Sequence, residues 1–348
     1  MPYTWSLDPE DLFAERYPQM TRQNLPPDDV DGVRARIQRM WADESGGWVY
    51  EWSRLAEGYA RKGRHDQAML AYGWAKFPTL ANEAGQAALA KQVEQCELWS
   101  RQLPIDFERR ILTVPYGSGT TNVPVHILSP KGAPTDTPIL LASGGVDTWK
   151  MDLQSLFLLY IQHTGVRILA FDIPGTGESQ IPMSPEGSQV VSGLIAAARA
   201  MGARKVGHLG ISMGGYYSAR SGLAGEVDAA IDLGGPVGAS ETPPAREWHF
   251  GMADIMGNAL RLDRPDPREV AKALDRFTLR PLLAQAKNAP MLVINGADDI
   301  HIPAQDTLVF EGRSNTEVLL LPETGHCAVT KMDVVIPKML GWTAQQLR

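Results

Sequence analysis

The sequence predicts an α/β protein with a mainly parallel, doubly wound central sheet, preceded by an N-terminal helical lobe and interrupted by a helical cap. Three observations lead there. From about Phe107 onward, short β-branched runs alternate with helical stretches and Gly/Pro turns, which is the texture of strands joined by crossover helices. Before that point, residues 30–103 are rich in Ala, Gln, Glu, Arg and Trp, with apolar residues at helical spacing. A serine flanked by glycines also follows one of the predicted strands directly. With 348 residues and 44% hydrophobic content, the chain can bury one enlarged α/β domain plus an extra element of about 100 residues.

Taken in order, residues 1–103 are expected to form the helical lobe and residues 104–348 the α/β domain. Within the lobe, Trp52, Leu55, Tyr59, Gly63, Ala68, Tyr72, Ala75 and Pro78 resemble one tetratricopeptide helix pair, whose small and aromatic residues let two antiparallel helices pack closely. A single repeat cannot bury its own apolar face, so a lobe packed on the sheet is expected rather than a protein-binding array. Strands are expected at Arg110–Val114, Val123–Leu128, Pro138–Ala142, Arg167–Phe171, Lys205–Gly210, Ala229–Leu233, Met291–Asn295 and Val318–Leu321. The first two form an antiparallel hairpin, because only the turn from Gly117 to Asn122 separates them. Between Gly235 and Asn288 no strand pattern occurs, and Pro243, Pro244, Pro265, Pro267 and Pro281 divide the segment into short helices. That segment, about 235–288, is the expected cap, and its Trp248, Phe250 and Met252 make an apolar, partly aromatic substrate pocket.

Composition removes several classes of function. A net charge of −7 provides no basic footprint for a phosphate backbone, so nucleic acid is not an expected partner. Two cysteines, Cys96 and Cys327, form no disulfide framework and lack zinc or redox spacing, which points to a reducing, cytoplasmic setting. The start, Met1 to Asp11, has neither a basic n-region nor an apolar h-region and does not read as a signal peptide. The most apolar stretches, such as Leu153 to Ile161, fall short of the ~20 residues that cross a bilayer, so a membrane is not expected either. No H-E-x-x-H, paired C-x-x-C or EF-hand loop occurs, so neither metal nor cofactor is expected. The expected partner is a small-molecule substrate, and a homodimer is compatible with the sequence.

The residues that carry chemistry begin with Gly210-Ile211-Ser212-Met213-Gly214. This G-x-S-x-G sits between a predicted strand and Gly215-Tyr216-Tyr217-Ser218-Ala219, which can open a helix, and so matches the nucleophile elbow of the α/β-hydrolase fold. The serine of such an elbow is strained, and glycines two positions to either side avoid clashes. A serine hydroxyl needs a base within hydrogen-bond reach, and the base needs an orienting acid. Asp299 fills the acid role in the loop Asn295 to Pro303, after an apolar strand, where carboxylates point to the C-terminal edge of the sheet. Asp298 reads as a solvated turn residue. His326 lies in Glu323-Thr324-Gly325-His326-Cys327, after the last strand, which gives the Ser, Asp, His order of this fold. Of seven histidines, His301 is the only rival; His65, His126, His163, His208 and His249 read as structural or surface residues. An oxyanion needs donors, for which the candidates are the amide of Met213 and that of Gly145 or Val146 in Ser143-Gly144-Gly145-Val146-Asp147-Thr148. Asp172-Ile173-Pro174-Gly175-Thr176-Gly177-Glu178-Ser179 lacks a GK[ST] ending and reads as a structural turn, not a phosphate loop.

Together, Ser143 to Lys150, Asp172 to Ser179, Gly210 to Gly215 and Asp299 to Pro303 resemble one branch of the α/β hydrolases: the FrsA-like esterases, dihydropseudooxynicotine hydrolase and the fungal pigment-type polyketide-shortening hydrolases. The stretch Trp52 to Leu98 is similar to the N-terminal lobe of those proteins. The resemblance implies a triad of Ser212, Asp299 and His326, an oxyanion loop at Gly145/Val146, and cleavage of either esters or carbon–carbon bonds beside a ketone. The expected function is therefore a serine hydrolase acting through an acyl-enzyme on a hydrophobic or polyketide-like small molecule, as in secondary metabolism. An acyltransferase or cyclase on the same fold is the second reading, and a non-enzymatic binding protein using the lobe is the third.

Overall fold

Strands buried on both faces are written as unbroken apolar runs rather than as alternating ones, and this governs the middle of the sheet. A computed structural model describes residues 2–22, 24–240 and 248–348. Its sheet has eight strands: β1 (Ile105–Tyr116), β2 (Gly119–Pro130), β3 (Ile139–Ser143), β4 (Arg167–Phe171), β5 (Val206–Ile211), β6 (Ala229–Leu233), β7 (Met291–Gly296) and β8 (Thr316–Leu321). Every residue of β3, β6 and β7 is buried, whereas β1 alternates along most of its length. The order is β1-β2-β4-β3-β5-β6-β7-β8. β1 with β2 and β2 with β4 are antiparallel, and the other pairings are parallel.

Strand identity follows the sequence expectation throughout, but the hairpin is longer than expected. β1 and β2 are 12 residues each and close on Tyr116↔Gly119, with Gly117 at φ 60° in the two-residue turn. The ends were illegible because β1 is an edge strand, paired on one side alone, in which charged residues such as Glu108 and Arg109 and even Pro115 are tolerated.

The winding places the functional crevice. The chain crosses from β3 to β4 on one side and then back over to β5 on the other side of β3. The C-terminal ends of β3 and β5, paired as Ser143↔Gly210, therefore mark a topological switch point, where ligands of open α/β sheets bind.

One face of the sheet packs on α7 (Ser188–Ala200) and α8 (Met213–Leu223), through residues such as Leu141, Phe171, Leu194 and Ala219. The other packs on α6 (Gln154–Thr164) and α13 (Met332–Leu347), through Leu140, Ile168, Phe157 and Met339. The lobe consists of α1 (Pro9–Arg22), α2 (Pro27–Arg34), α3 (Trp48–Arg61), α4 (His65–Ala75) and α5 (Glu83–Ser100). Its tetratricopeptide-like pair is α3 and α4, with Gly63 at φ 70° in the turn between them. An aromatic row runs through the lobe, with ring centroids 4.9 Å apart for Phe13–Trp48, 6.0 Å for Trp48–Trp52, 6.2 Å for Trp52–Trp74 and 5.0 Å for Trp74–Phe77. Trp149 and Met151, which follow β3, are buried in this same lobe core.

Between Gly235 and Asn288 the described residues hold α9 (Met252–Ala259), α10 (Pro267–Leu274) and α11 (Arg280–Leu283), and no strand. Pro267 and Pro281 lie in the first turn of α10 and α11, where the missing N–H costs nothing; Pro243 and Pro244 fall outside the described residues. The residues ahead of α1 leave the lobe and reach this cap: the Tyr3 N–H donates to Asn258 Oδ1 at 3.0 Å, and Asn258 Nδ2 donates to the Tyr3 carbonyl at 3.1 Å. Trp5 packs at a tilt against Trp41, ring centroids 4.6 Å apart, so the strap ties cap to lobe. The short N-terminal segment carries no pattern that announces this contact. Among the described residues no helix is long and apolar enough to cross a membrane.

Because Trp52 is fully buried at the centre of the aromatic row, Trp52→Ala should destabilise the protein by about 3–5 kcal/mol. The shift of the unfolding midpoint in urea checks this.

Candidate active site

The turn from β5 into α8 forces Ser212 to φ 55°, ψ −127°, a conformation that L residues reach only when their surroundings impose it. The packing that imposes it leaves no room at Gly210, where a Cβ would lie 2.0 Å from the Gly214 carbonyl oxygen. The Ser212 N–H donates to the Leu233 carbonyl at 2.8 Å, and its own carbonyl accepts from the Gly215 N–H at 2.7 Å. The side chain, partly exposed, therefore stands clear of the turn at the switch point.

His326 Nε2 lies 2.8 Å from Ser212 Oγ, and His326 Nδ1 lies 2.7 Å from Asp299 Oδ2. A carboxylate only accepts, so Nδ1 carries the proton and Nε2 is left to accept from the hydroxyl. Asp299 is nearly sealed from solvent, whereas a quarter of the His326 side chain is exposed. The carboxylate also accepts from Asn295 Nδ2 at 2.8 Å and from the backbone N–H groups of His301 and Ile302 at 2.8 and 3.1 Å. Burial pushes the Asp299 pKa up, but the hydrogen bonds from His326, Asn295 and the His301 amide outweigh it and hold the group below the ordinary carboxylate range. Burial also disfavours the imidazolium of His326, yet the hydrogen bond to the Asp299 carboxylate and its charge favour it, and the pKa lies well above the usual imidazole value.

The rivals fall elsewhere. His301 presents its ring edge-on to His326 at 5.4 Å and serves Asp299 through its backbone. Burial and the neighbouring His326 lower its pKa. Asp298 is exposed. His126 and His208 are fully buried in the sheet, and burial pushes His208 down to about 3.

The loop after β3 abuts the serine: a Cβ on Gly145 would stand 3.0 Å from Ser212 Oγ. The backbone N–H groups of Gly145, Val146 and Met213 donate to no other described group. Val146 and Met213 belong to one apolar cluster, and the cap residues Trp248 and Met252 pack against that cluster. Phe250, at φ 53°, is half-buried beside His249 and lies outside it. The stretch Asp172–Ser179 is a turn, and its Asp172 accepts from the buried Lys150.

Three groups went unread in the sequence. Asn295 donates to Asp299 and, through Oδ1, accepts the Cys327 N–H at 2.9 Å, so one buried amide joins the two loops that carry the acid and the imidazole. Its place at the end of an apolar strand was the available signal. Arg16, from α1, pairs with Asp147 at 2.8 Å and with Glu15 at 3.4 Å, which brings a charged rim from the lobe to the loop beside the serine. Asp232, at the end of β6, accepts from the Gly235 N–H at 2.7 Å behind the elbow, and burial pushes its carboxyl up to about 8.

With this geometry in view, comparison with known proteins decides the family. The family model "Esterase FrsA-like" matches residues 37–324. The chain belongs to the FrsA-like esterase family. It is 26% identical over 290 residues to Esterase FrsA of Vibrio cholerae, covering 74% of this chain and 69% of that one. Against Esterase FrsA of Vibrio parahaemolyticus it is 25% identical over 323 residues, covering 83% and 77%. Among solved structures it is similar in fold to 2,6-dihydroxy-pseudo-oxynicotine hydrolase, with a TM-score of 0.77, 19% identity and 95% of each chain covered. It is likewise similar to AbyA5, with a TM-score of 0.74, 18% identity and coverage of 91% and 93%. This FrsA-like protein has the α/β-hydrolase fold and is an enzyme, a hydrolase of the esterase type, which sets aside the non-enzymatic binding role.

A carboxyl whose folded pKa is raised loses stability as pH climbs from its unfolded value toward its folded one. For Asp232 that window runs from the ordinary carboxylate range to about 8. Asp232→Asn, which cannot ionise, should therefore raise the melting temperature more at pH 8 than at pH 5. Thermal unfolding at the two pH values checks it.

Proposed function

We propose that this FrsA-like esterase cleaves its substrate through an acyl-enzyme on Ser212, with His326 as general base and acid and Asp299 as the carboxylate that orients it and stabilises its imidazolium. The observation that carries this reading is the unbroken pair of hydrogen bonds, 2.8 Å from Ser212 Oγ to His326 Nε2 and 2.7 Å from His326 Nδ1 to Asp299 Oδ2. In the first half-reaction Ser212 Oγ attacks the ester carbonyl carbon while its proton passes to Nε2. The tetrahedral oxyanion then accepts from the Met213 N–H and from that of Gly145 or Val146, which are free to donate and need no reorganisation to do so. Collapse expels the alkoxide, which takes the proton from Nε2. In the second half-reaction a water gives its proton to Nε2, attacks the acyl carbon, and Ser212 leaves with that proton restored.

The cap supports a mid-sized hydrophobic, polyketide-like acyl portion: Trp248 and Met252 pack on the apolar cluster that contains Val146 and Met213. An ester is the better leaving group for this machinery, because His326 protonates an alkoxide directly, whereas a carbon leaving group must first be stabilised as an enolate.

Ser212→Ala should abolish turnover of aryl esters while leaving the fold intact, and a matched panel of aryl esters and 1,3-diketones should show preference for the esters. Preference for the diketones would move the reaction to carbon–carbon cleavage, and recovery of transferred acyl product without acid would move it to acyl transfer. The acid limb of kcat/KM should lie above the ordinary imidazole range, since the base works only when neutral and its pKa is raised. In Asp299→Asn the raising carboxylate is lost, so that limb should move to lower pH as kcat falls, by about 10⁴-fold if the wrong tautomer results. A pH–rate profile of both proteins reads the sign.

A further inference from the structure

The loop that abuts Ser212 is fixed from both sides by buried charges that the chemistry above does not use. On the sheet side, Lys150 has no exposed side-chain area and pairs with Asp172 at 2.5 Å and Glu178 at 2.8 Å. On the lobe side, Lys76, at the C-terminal end of α4, is 1% exposed and pairs with Asp152 at 2.6 Å. The same ammonium lies 3.8 Å from the centre of the Trp149 ring. Gln92 of α5 donates to the other Asp152 oxygen at 2.7 Å, and Asp152 accepts the Trp149 backbone N–H at 2.8 Å. Trp149 in turn donates its indole N–H to the Val146 carbonyl at 3.0 Å. An unbroken chain of contacts therefore runs from Lys76 through Asp152 and Trp149 to the Val146 carbonyl, one residue past the Gly145 that abuts the serine.

Buried ion pairs are poor stabilisers compared with apolar contacts of the same size, because desolvation offsets the attraction. What they impose is geometry, since an ammonium with one carboxylate in reach has one low-energy arrangement. Here the arrangement fixes Trp149 in the lobe core and, by its indole, the Val146 carbonyl, which sets the path of the chain that carries the Gly145 and Val146 amides. Donors to a developing oxyanion act only when aimed to a fraction of an ångström.

We propose that Lys76 is a positioning residue for the oxyanion loop, acting through Asp152 and Trp149, so that the N-terminal lobe sets the turnover of the Ser212 site. The proposal rests on the reading of that site given above. It predicts an effect on the transition state rather than on substrate binding, because Lys76 is sealed in the lobe and the Val146 peptide is what it steers.

The test compares wild type, Lys76→Met and Gly73→Ala on one aryl ester, with active sites counted by a fluorophosphonate and folding checked by circular dichroism and melting. Gly73→Ala keeps every charge and suits a helix, but its Cβ would come 2.7 Å from both Asp152 Oδ1 and Gln92 Nε2 and must displace them. Both folded variants should lose about tenfold or more in kcat per active site with KM unchanged. The affinity of a trifluoromethyl ketone, whose bound form is an oxyanion, should fall in parallel. Unchanged kcat per active site in the folded variants overturns the proposal, as does a rise in KM alone; if Lys76→Met does not fold, Gly73→Ala decides. Ser212→Ala run alongside separates the two claims: activity surviving there defeats the reading of the site itself, whatever Lys76 does.

Discussion

The hydrogen bond between Ser212 Oγ and His326 Nε2 depends on a strained backbone, and most of the surrounding structure can be understood as what keeps that strain in place. A serine at φ 55° carries a strain of order 1–3 kcal/mol and, left to itself, would relax. It does not relax because the neighbouring strands hold it: the Leu233 carbonyl fixes its amide, and the close packing of Gly210 on Gly214 leaves the turn one path. The imidazole is held by equivalent means. Cys327 and Ala328, at φ 55° and 50°, carry further strain just past it, and Asn295 ties their loop to the acid. Convergence of side chains 114 and 27 residues apart thus reduces to the ends of β5, β6, β7 and β8 lying side by side in one sheet.

The lobe is not an appendage in this arrangement. Its aromatic core takes in Trp149 and Met151, so the loop after β3 is half owned by the helices. Arg16 and Lys76 reach the same loop at Asp147 and Asp152, and the strap at Tyr3 and Trp5 continues from the lobe onto the cap. A site at the meeting of sheet, lobe and cap can gain precision from each without placing all three in contact with the reacting atoms.

What the sequence made legible follows from where information is local. The central strands were readable because burial on both faces demands unbroken apolar runs, as in Met291–Gly296. The elbow was readable because its glycines, its strand and its helix all fall within a short stretch, and Asp299 and His326 because chain order restricts the choice. The hairpin ends were not, since the open side of an edge strand accepts residues that elsewhere end a strand. Arg16 and Lys76 were not, since nothing in their neighbourhoods marks them: their partners lie 131 and 76 residues away, and an ordinary basic residue in a helix gains its role only from what folds against it. The charged rim at Glu15, Arg16 and Asp147 is therefore an addition to the apolar, partly aromatic pocket expected from Trp248, Phe250 and Met252.

The proposed reaction requires that Ser212 be activated by the imidazole it touches. Intact-protein mass spectrometry after brief exposure to a fluorophosphonate, followed by peptide mapping, tests it directly. One adduct is expected, on Ser212, with a labelling rate that collapses in His326→Ala. Absence of an adduct on folded protein, an adduct on another residue, or labelling at an undiminished rate in the histidine variant would contradict it.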